Sequence, residues 1–116
     1  VGWTFTSRPK GEPIKKFLAE RVFGPKFEIL ECAVIKRTTA YVAARNLDNP
    51  DEVFACIFLL AYRPRDYGYE FGYKDMDETM GPFSYDCPER ILDLLTPTDN
   101  ESAMRWRERC RERAAA

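Results

Sequence analysis

Tyr67-Gly68-Tyr69-Glu70-Phe71-Gly72-Tyr73-Lys74 carries an aromatic ring at every odd position and a glycine, glutamate or lysine at every even one. Side chains alternate between the two faces of an extended chain, so this period of two predicts a strand with one aromatic face. On its other face Gly68 and Gly72 leave room for a close approach or mark bulges. The residues that follow, 75–82, read as a loop.

Working outward, residues 52–63 form the most apolar run, with Phe54, Cys56, Phe58 and Leu60 on one face and Val53, Ala55, Ile57 and Leu59 on the other. Aromatic and β-branched content and the flanking turn residues favour a strand buried on both sides. Residues 27–37 read the same way. Phe27, Ile29, Ala33 and Ile35 make one face, and Leu30, Cys32 and Val34 the other. Thr38 and Thr39 mark a turn into a strand over 40–45, and residues 47–51 are a turn cluster. Upstream, Trp3 and Phe5 alternate with Thr4 and Thr6 as a short strand near an edge. Ile14, Phe17, Leu18 and Val22 then fall at helical spacing between Pro13 and Gly24-Pro25. Downstream, Pro88 opens a short helix carrying Ile91, Leu92 and Leu95. Thr98 and Glu101 have the spacing of a capping box before a last helix with Ala103, Trp106 and Cys110 on its apolar side.

The order is β-α-β-β-β-β-α-α. Short turns between consecutive strands favour antiparallel pairing. The expected fold is α+β in two layers, a mostly antiparallel sheet of about five strands with helices on one face. The chain of 116 residues fits a single domain over residues 1–113, with 114–116 a cloning remnant or disordered tail.

Composition excludes several functions. Hydrophobic residues at 45% and charged ones at 32% argue for a folded chain. Histidine is absent, which removes Ser-His-Asp and Cys-His nucleophile pairs. Cys32, Cys56, Cys87 and Cys110 form no close pair of the zinc-ribbon or thioredoxin kind and read as reduced, structural thiols. No cofactor is expected. The N-terminus shows no secretory signal, and the longest apolar run, 53–62, is too short to span a bilayer, which needs about 20 residues. These features point to a cytoplasmic protein with no membrane association.

The formal net charge of −1 hides segregation, with residues 1–65 at +4, 66–101 at −8 and 102–116 at +3. Such asymmetry steers partners or binds one part of the chain to another. Asp75, Asp77 and Glu78 are oxygen donors that could hold a hard cation. Thr79 and Met80, however, stand where a calcium loop of the EF-hand type needs a ligand and a glycine. The plainer reading is a turn whose carboxylates cap exposed amides. Tyr67, Tyr69, Phe71 and Tyr73 could stack bases, but they lie in the most acidic segment, which favours packing under the C-terminal helices. Arg105, Arg107, Arg109, Arg111 and Arg113 make the last helix a candidate grip for phosphates, against a solvated face of Arg–Glu pairs.

Several long motifs carry a resemblance: Gly2-Trp3-Thr4-Phe5, Arg8-Pro9-Lys10-Gly11, the run from Phe71-Gly72-Tyr73-Lys74 to Pro82, and Asp86-Cys87-Pro88-Glu89-Arg90-Ile91-Leu92 with the residues to Thr98. In these the chain resembles an uncharacterised family of short bacterial proteins met on plasmids, phages and other mobile elements. The resemblance implies a context and no functional residue. With the segregated charge, it sets the expected function as a small non-enzymatic accessory protein that binds a protein partner through Tyr73, Lys74, Asp75, Asp77 and Glu78. The alternatives are nucleic-acid binding through the arginines of the last helix and a carboxylate-metal enzyme at Asp75, Asp77 and Glu78.

Overall fold

The computed structural model describes residues 2–8, 11–66, 68–80 and 84–116, and only the backbone of residue 69. Tyr67, Pro9-Lys10 and the Gly81-Pro82 end of the expected loop lie outside the described residues. Strand β1 is Thr4–Thr6 and helix α1 is Ile14–Phe17, which widens into a π-helix over Leu18–Phe23. Strands β2 (Phe27–Ile35), β3 (Thr39–Asn46), β4 (Asn49–Arg65) and β5 (Gly68–Asp77) follow, then a 3-10 turn (Glu78–Met80), α2 (Glu89–Leu92) and α3 (Glu101–Ala115). The five strands form one antiparallel sheet in the order β1-β5-β4-β3-β2, the α+β class expected.

The sheet is covered on both faces, not one. Ala40, Val42 and Ala44 of β3, Cys56, Phe58 and Leu60 of β4 and Phe71 of β5 pack on Phe17 and Leu18. The alternating residues Tyr41, Ala43, Ala55, Ile57 and Met76 pack on Ile91 and Leu92 of α2 and Trp106 and Cys110 of α3. The expected two layers are therefore three. The reason is already in the strands: both faces of β3 and β4 are apolar, and one helical layer shields only one of them.

The aromatic face of β5 is also reassigned. Phe71 and Tyr73 stand edge-on to Phe17 at 5.1 and 5.8 Å, so they pack under the N-terminal helix instead of the C-terminal ones. Other departures have local causes. A bulge between Ile29 and Glu31 switches the faces of β2, so that Ile29 joins the α1 side while Ala33 joins the α2–α3 side. The expected capping box gives way to Asn100, whose side chain accepts from Ala103 N at 2.9 Å, while Thr98 accepts from Asn100 N. Helix α3 runs through Ala115, so the expected tail at 114–116 is helical for two of its three residues.

The β2–β3 hairpin turns on Lys36 and Arg37, two residues before the expected Thr38 and Thr39. Both have left-handed φ, 54° and 63°, and Thr38 N donates to Ile35 O at 3.2 Å. This is the turn that favours Asn-Gly, because side chains other than Asn, Asp and Gly are strained there. Replacing Lys36→Asn and Arg37→Gly together should raise the unfolding free energy by about 1 kcal/mol, read from urea denaturation. An unchanged or lower midpoint would show the turn to be unstrained.

Candidate functional site

The acidic stretch does not form one surface. Residues 75–77, expected in a loop, continue β5 and pair with Phe58, Ile57 and Cys56. Alternation then sends Tyr73, Asp75 and Asp77 to the α1 side and Lys74 to the other. Tyr73 is wedged among Phe17, Phe58 and Phe71. Asp77 Oδ1 accepts from Thr79 N at 2.8 Å and from the Thr79 hydroxyl, capping the 3-10 turn. Burial, with Asp77 adding to it, pushes the Asp75 carboxyl above its ordinary range.

Glu78 is buried and faces Arg107 of α3. Arg107 Nε and Nη2 donate to its two carboxylate oxygens at 2.7 and 2.6 Å, and Nη1 donates to Thr96 O at 2.6 Å. A fork this complete fixes α3 to the end of β5. One candidate from the acidic set and one from the arginine set therefore satisfy each other. Among the described residues, no group of carboxylates and thiols is arranged to hold a metal ion.

The other arginines of α3 divide around the helix. Arg111 pairs with Asp93 at 3.0 Å and Arg105 approaches Glu101 at 3.9 Å. Arg109 lies over the Tyr85 ring at 5.5 Å, and Arg113 is exposed. Arg105, Arg109 and Arg113 share one stripe by helical spacing, with Arg107 and Arg111 on another side. The five do not act as one patch.

The cysteines are free, and Cys56, Cys87 and Cys110 are buried. Burial pushes the thiols of Cys32 and Cys110 to about 11 and that of Cys56 to about 12, so they stay protonated at neutral pH. Tyr41 donates to Asp86 and stacks on Trp106, whose Nε1 donates to Ser84 O at 2.8 Å. These contacts bind residues 84–87 to the core. A groove of about 520 Å³ between α2 and α3 has Leu92, Leu95 and Met104 in its lining, but the lining Arg107 and Arg111 are engaged with Glu78 and Asp93.

A different surface stands out. Strand β4 pairs with β3 only as far as Thr39, opposite Leu59, and runs on to Arg65 paired with β5. The α2–α3 layer covers the near part of this face. Beyond it the same face continues as Ala61, Arg63 and Arg65 on β4 and as Lys74, Gly72 and Glu70 on β5, and it is bordered by Phe5 of β1. The Phe5 ring lies over Gly72, where an added Cβ would meet three ring carbons at less than 3 Å. The Arg63 guanidinium covers the Phe5 ring at 3.7 Å from its centroid, and the Trp3 ring stacks with Phe5 at 6.2 Å and 27°. Glu70 accepts from Arg63 Nη2 at 2.5 Å, with Arg65 at 3.5 Å, and hydrogen bonding by Arg63 holds its carboxyl below the usual range. The side chains of Arg63 and Arg65 remain 42% and 40% exposed and Trp3 43%, so these planar groups are open to solvent.

Phe71 and Tyr73 of the alternating octapeptide pack on the α1 side, and the rings beside this face are Trp3 and Phe5. The close approach expected at Gly72 is made by the Phe5 ring, admitted by the missing side chain.

No family model, curated protein or solved structure matches this chain.

Two predictions test these assignments. Arg107→Ala leaves Glu78 buried without its partner and should cost about 3–5 kcal/mol, whereas Arg107→Met with Glu78→Met should recover most of that loss. Chemical denaturation measures both, and a loss under 1 kcal/mol for the single variant contradicts the assigned role. Asp75 binds its proton more tightly folded than unfolded, so its charge costs stability above its folded pKa. Between the ordinary value near 3.8 and that raised value, stability falls as pH rises. Asp75→Asn should therefore melt higher than the parent at pH 7, with the difference gone below about pH 4. Equal melting at pH 7 removes the effect.

Proposed function

We propose that the protein is a non-enzymatic nucleic-acid-binding protein that uses the open end of its sheet. The observation that carries this reading is the exposed Trp3 and Arg63, both against the half-buried Phe5 ring, with Arg65 and Lys74 on the same face. Arginines set among aromatic rings suit phosphates and bases together. The hairpin tip with Lys36 and Arg37 lies at the same end of the sheet, since Leu60 N donates to Thr38 O at 2.8 Å. Asp66 and Glu70 oppose these charges without outnumbering them.

The reading keeps the expectation of a binding protein and moves the surface. A protein partner docking on Tyr73, Lys74, Asp75, Asp77 and Glu78 would have to engage both faces of β5 and a buried carboxylate. Binding through the last helix would have to recruit Arg107 from its buried pair. A nucleic-acid ligand also suits the bacterial mobile-element context that the resemblance implies, which belongs to the same proposal.

Binding of mixed-sequence oligonucleotides, single- and double-stranded, should appear at low salt. Its logarithm should fall with the logarithm of salt at a slope of about −2 to −3, as for three neutralised phosphates. Arg63→Gln with Arg65→Gln and Lys74→Gln should abolish it. Arg105→Gln with Arg109→Gln and Arg113→Gln should leave it within twofold. Absence of binding to every oligonucleotide at low salt, or loss only in the helix variant, would falsify the reading.

A further inference from the structure

The geometry points to single strands: we infer that an unpaired base stacks on Trp3 while the neighbouring backbone phosphates meet Arg63, Arg65 and Lys74. This inference rests on the reading of the open sheet as a nucleic-acid surface and names the form of ligand it takes.

Trp3 immediately precedes the three-residue edge strand, is 43% exposed, and has its ring stacked on Phe5. An exposed indole at an edge offers a ring face. A duplex presents its base edges in its grooves and keeps the base faces inside its stack, so only an unpaired base can lie on such a ring.

Phe5 lies flat on the sheet because Gly72 has no side chain, and the Arg63 guanidinium, itself tied to Glu70, packs on the ring. Phe5 held in this way gives the exposed Trp3 ring a fixed neighbour, so the indole loses little freedom when a base arrives.

Stacking and phosphate contact tolerate any base. One exposed indole beside Arg63, Arg65 and Lys74 suits a short stretch of unpaired chain.

The test uses fluorescence anisotropy with a short labelled oligothymidylate, the duplex of the same length, and inorganic polyphosphate as a competitor that carries charge without bases. The oligothymidylate should bind at least tenfold tighter than the duplex. Trp3→Ala should weaken it by about 5- to 100-fold, the range of one lost base–ring stack, and Trp3→Phe should retain most of the affinity. Trp3 is exposed, and an unchanged melting curve confirms that each variant folds. Equal affinity for duplex and single strand, or a Trp3→Ala variant that binds like the parent, overturns the single-strand inference while the nucleic-acid reading stands. Polyphosphate that competes as well as an equal length of oligothymidylate also overturns it, because charge alone then explains binding. Failure of every nucleic acid to bind overturns both.

Discussion

A sheet whose central strands are apolar on both faces must be covered twice, and the described helices cover only part of it. Helix α1 and its π extension shield one face, and α2 with α3 shield the other. Strand β4, at 17 residues, outruns the α2–α3 cover. Its side chains on that face change where the cover stops, from Ala55, Ile57 and Leu59 to Arg63 and Arg65. The partner strand changes likewise, from Met76 to Lys74 and Glu70. Uncovered sheet has to be compatible with water, and here that is achieved with the charged side chains of Arg63, Arg65, Glu70 and Lys74.

The second cover depends on Arg107 and Glu78. Helix α3 follows a stretch of chain without regular structure, and it is fixed by a buried, bidentate pair to the turn that ends β5. The acidic centre and the basic tail of the sequence meet at that pair. Part of the segregated charge is therefore architectural, joining two ends of the fold. What is left for a partner is the charge that the covers do not use.

Much of the fold was legible. Period-two alternation placed β1 and β5, β-branched and aromatic runs between turn residues placed β2, β3 and β4, and Pro13 and Gly24 bracketed the first helix, because these signals act locally. The number of layers was legible too, since Val53 to Leu60 is apolar on both sides, but expecting helices on one face set that aside. The bulge in β2 was hidden: nothing in Leu30-Glu31 distinguishes an inserted residue from a regular one. Lys36-Arg37 concealed the hairpin because tertiary pairing forces ordinary residues into a turn that glycine and asparagine prefer. For the site, the carboxylates of 75–78 looked like a cluster because they are neighbours in sequence. In a strand, neighbours face opposite ways, and distant Phe5, Arg63 and Gly72 come together instead.

The central claim is that the open end of β1, β5 and β4 is the ligand-facing surface. Amide chemical shifts followed during titration with an oligothymidylate test it directly. The account predicts shifts grouped at residues 3–6, 61–65 and 70–74, with those of Arg105, Arg109 and Arg113 unmoved. Shifts confined to α3, or to Asp75, Asp77 and their neighbours on the α1 side, would contradict it.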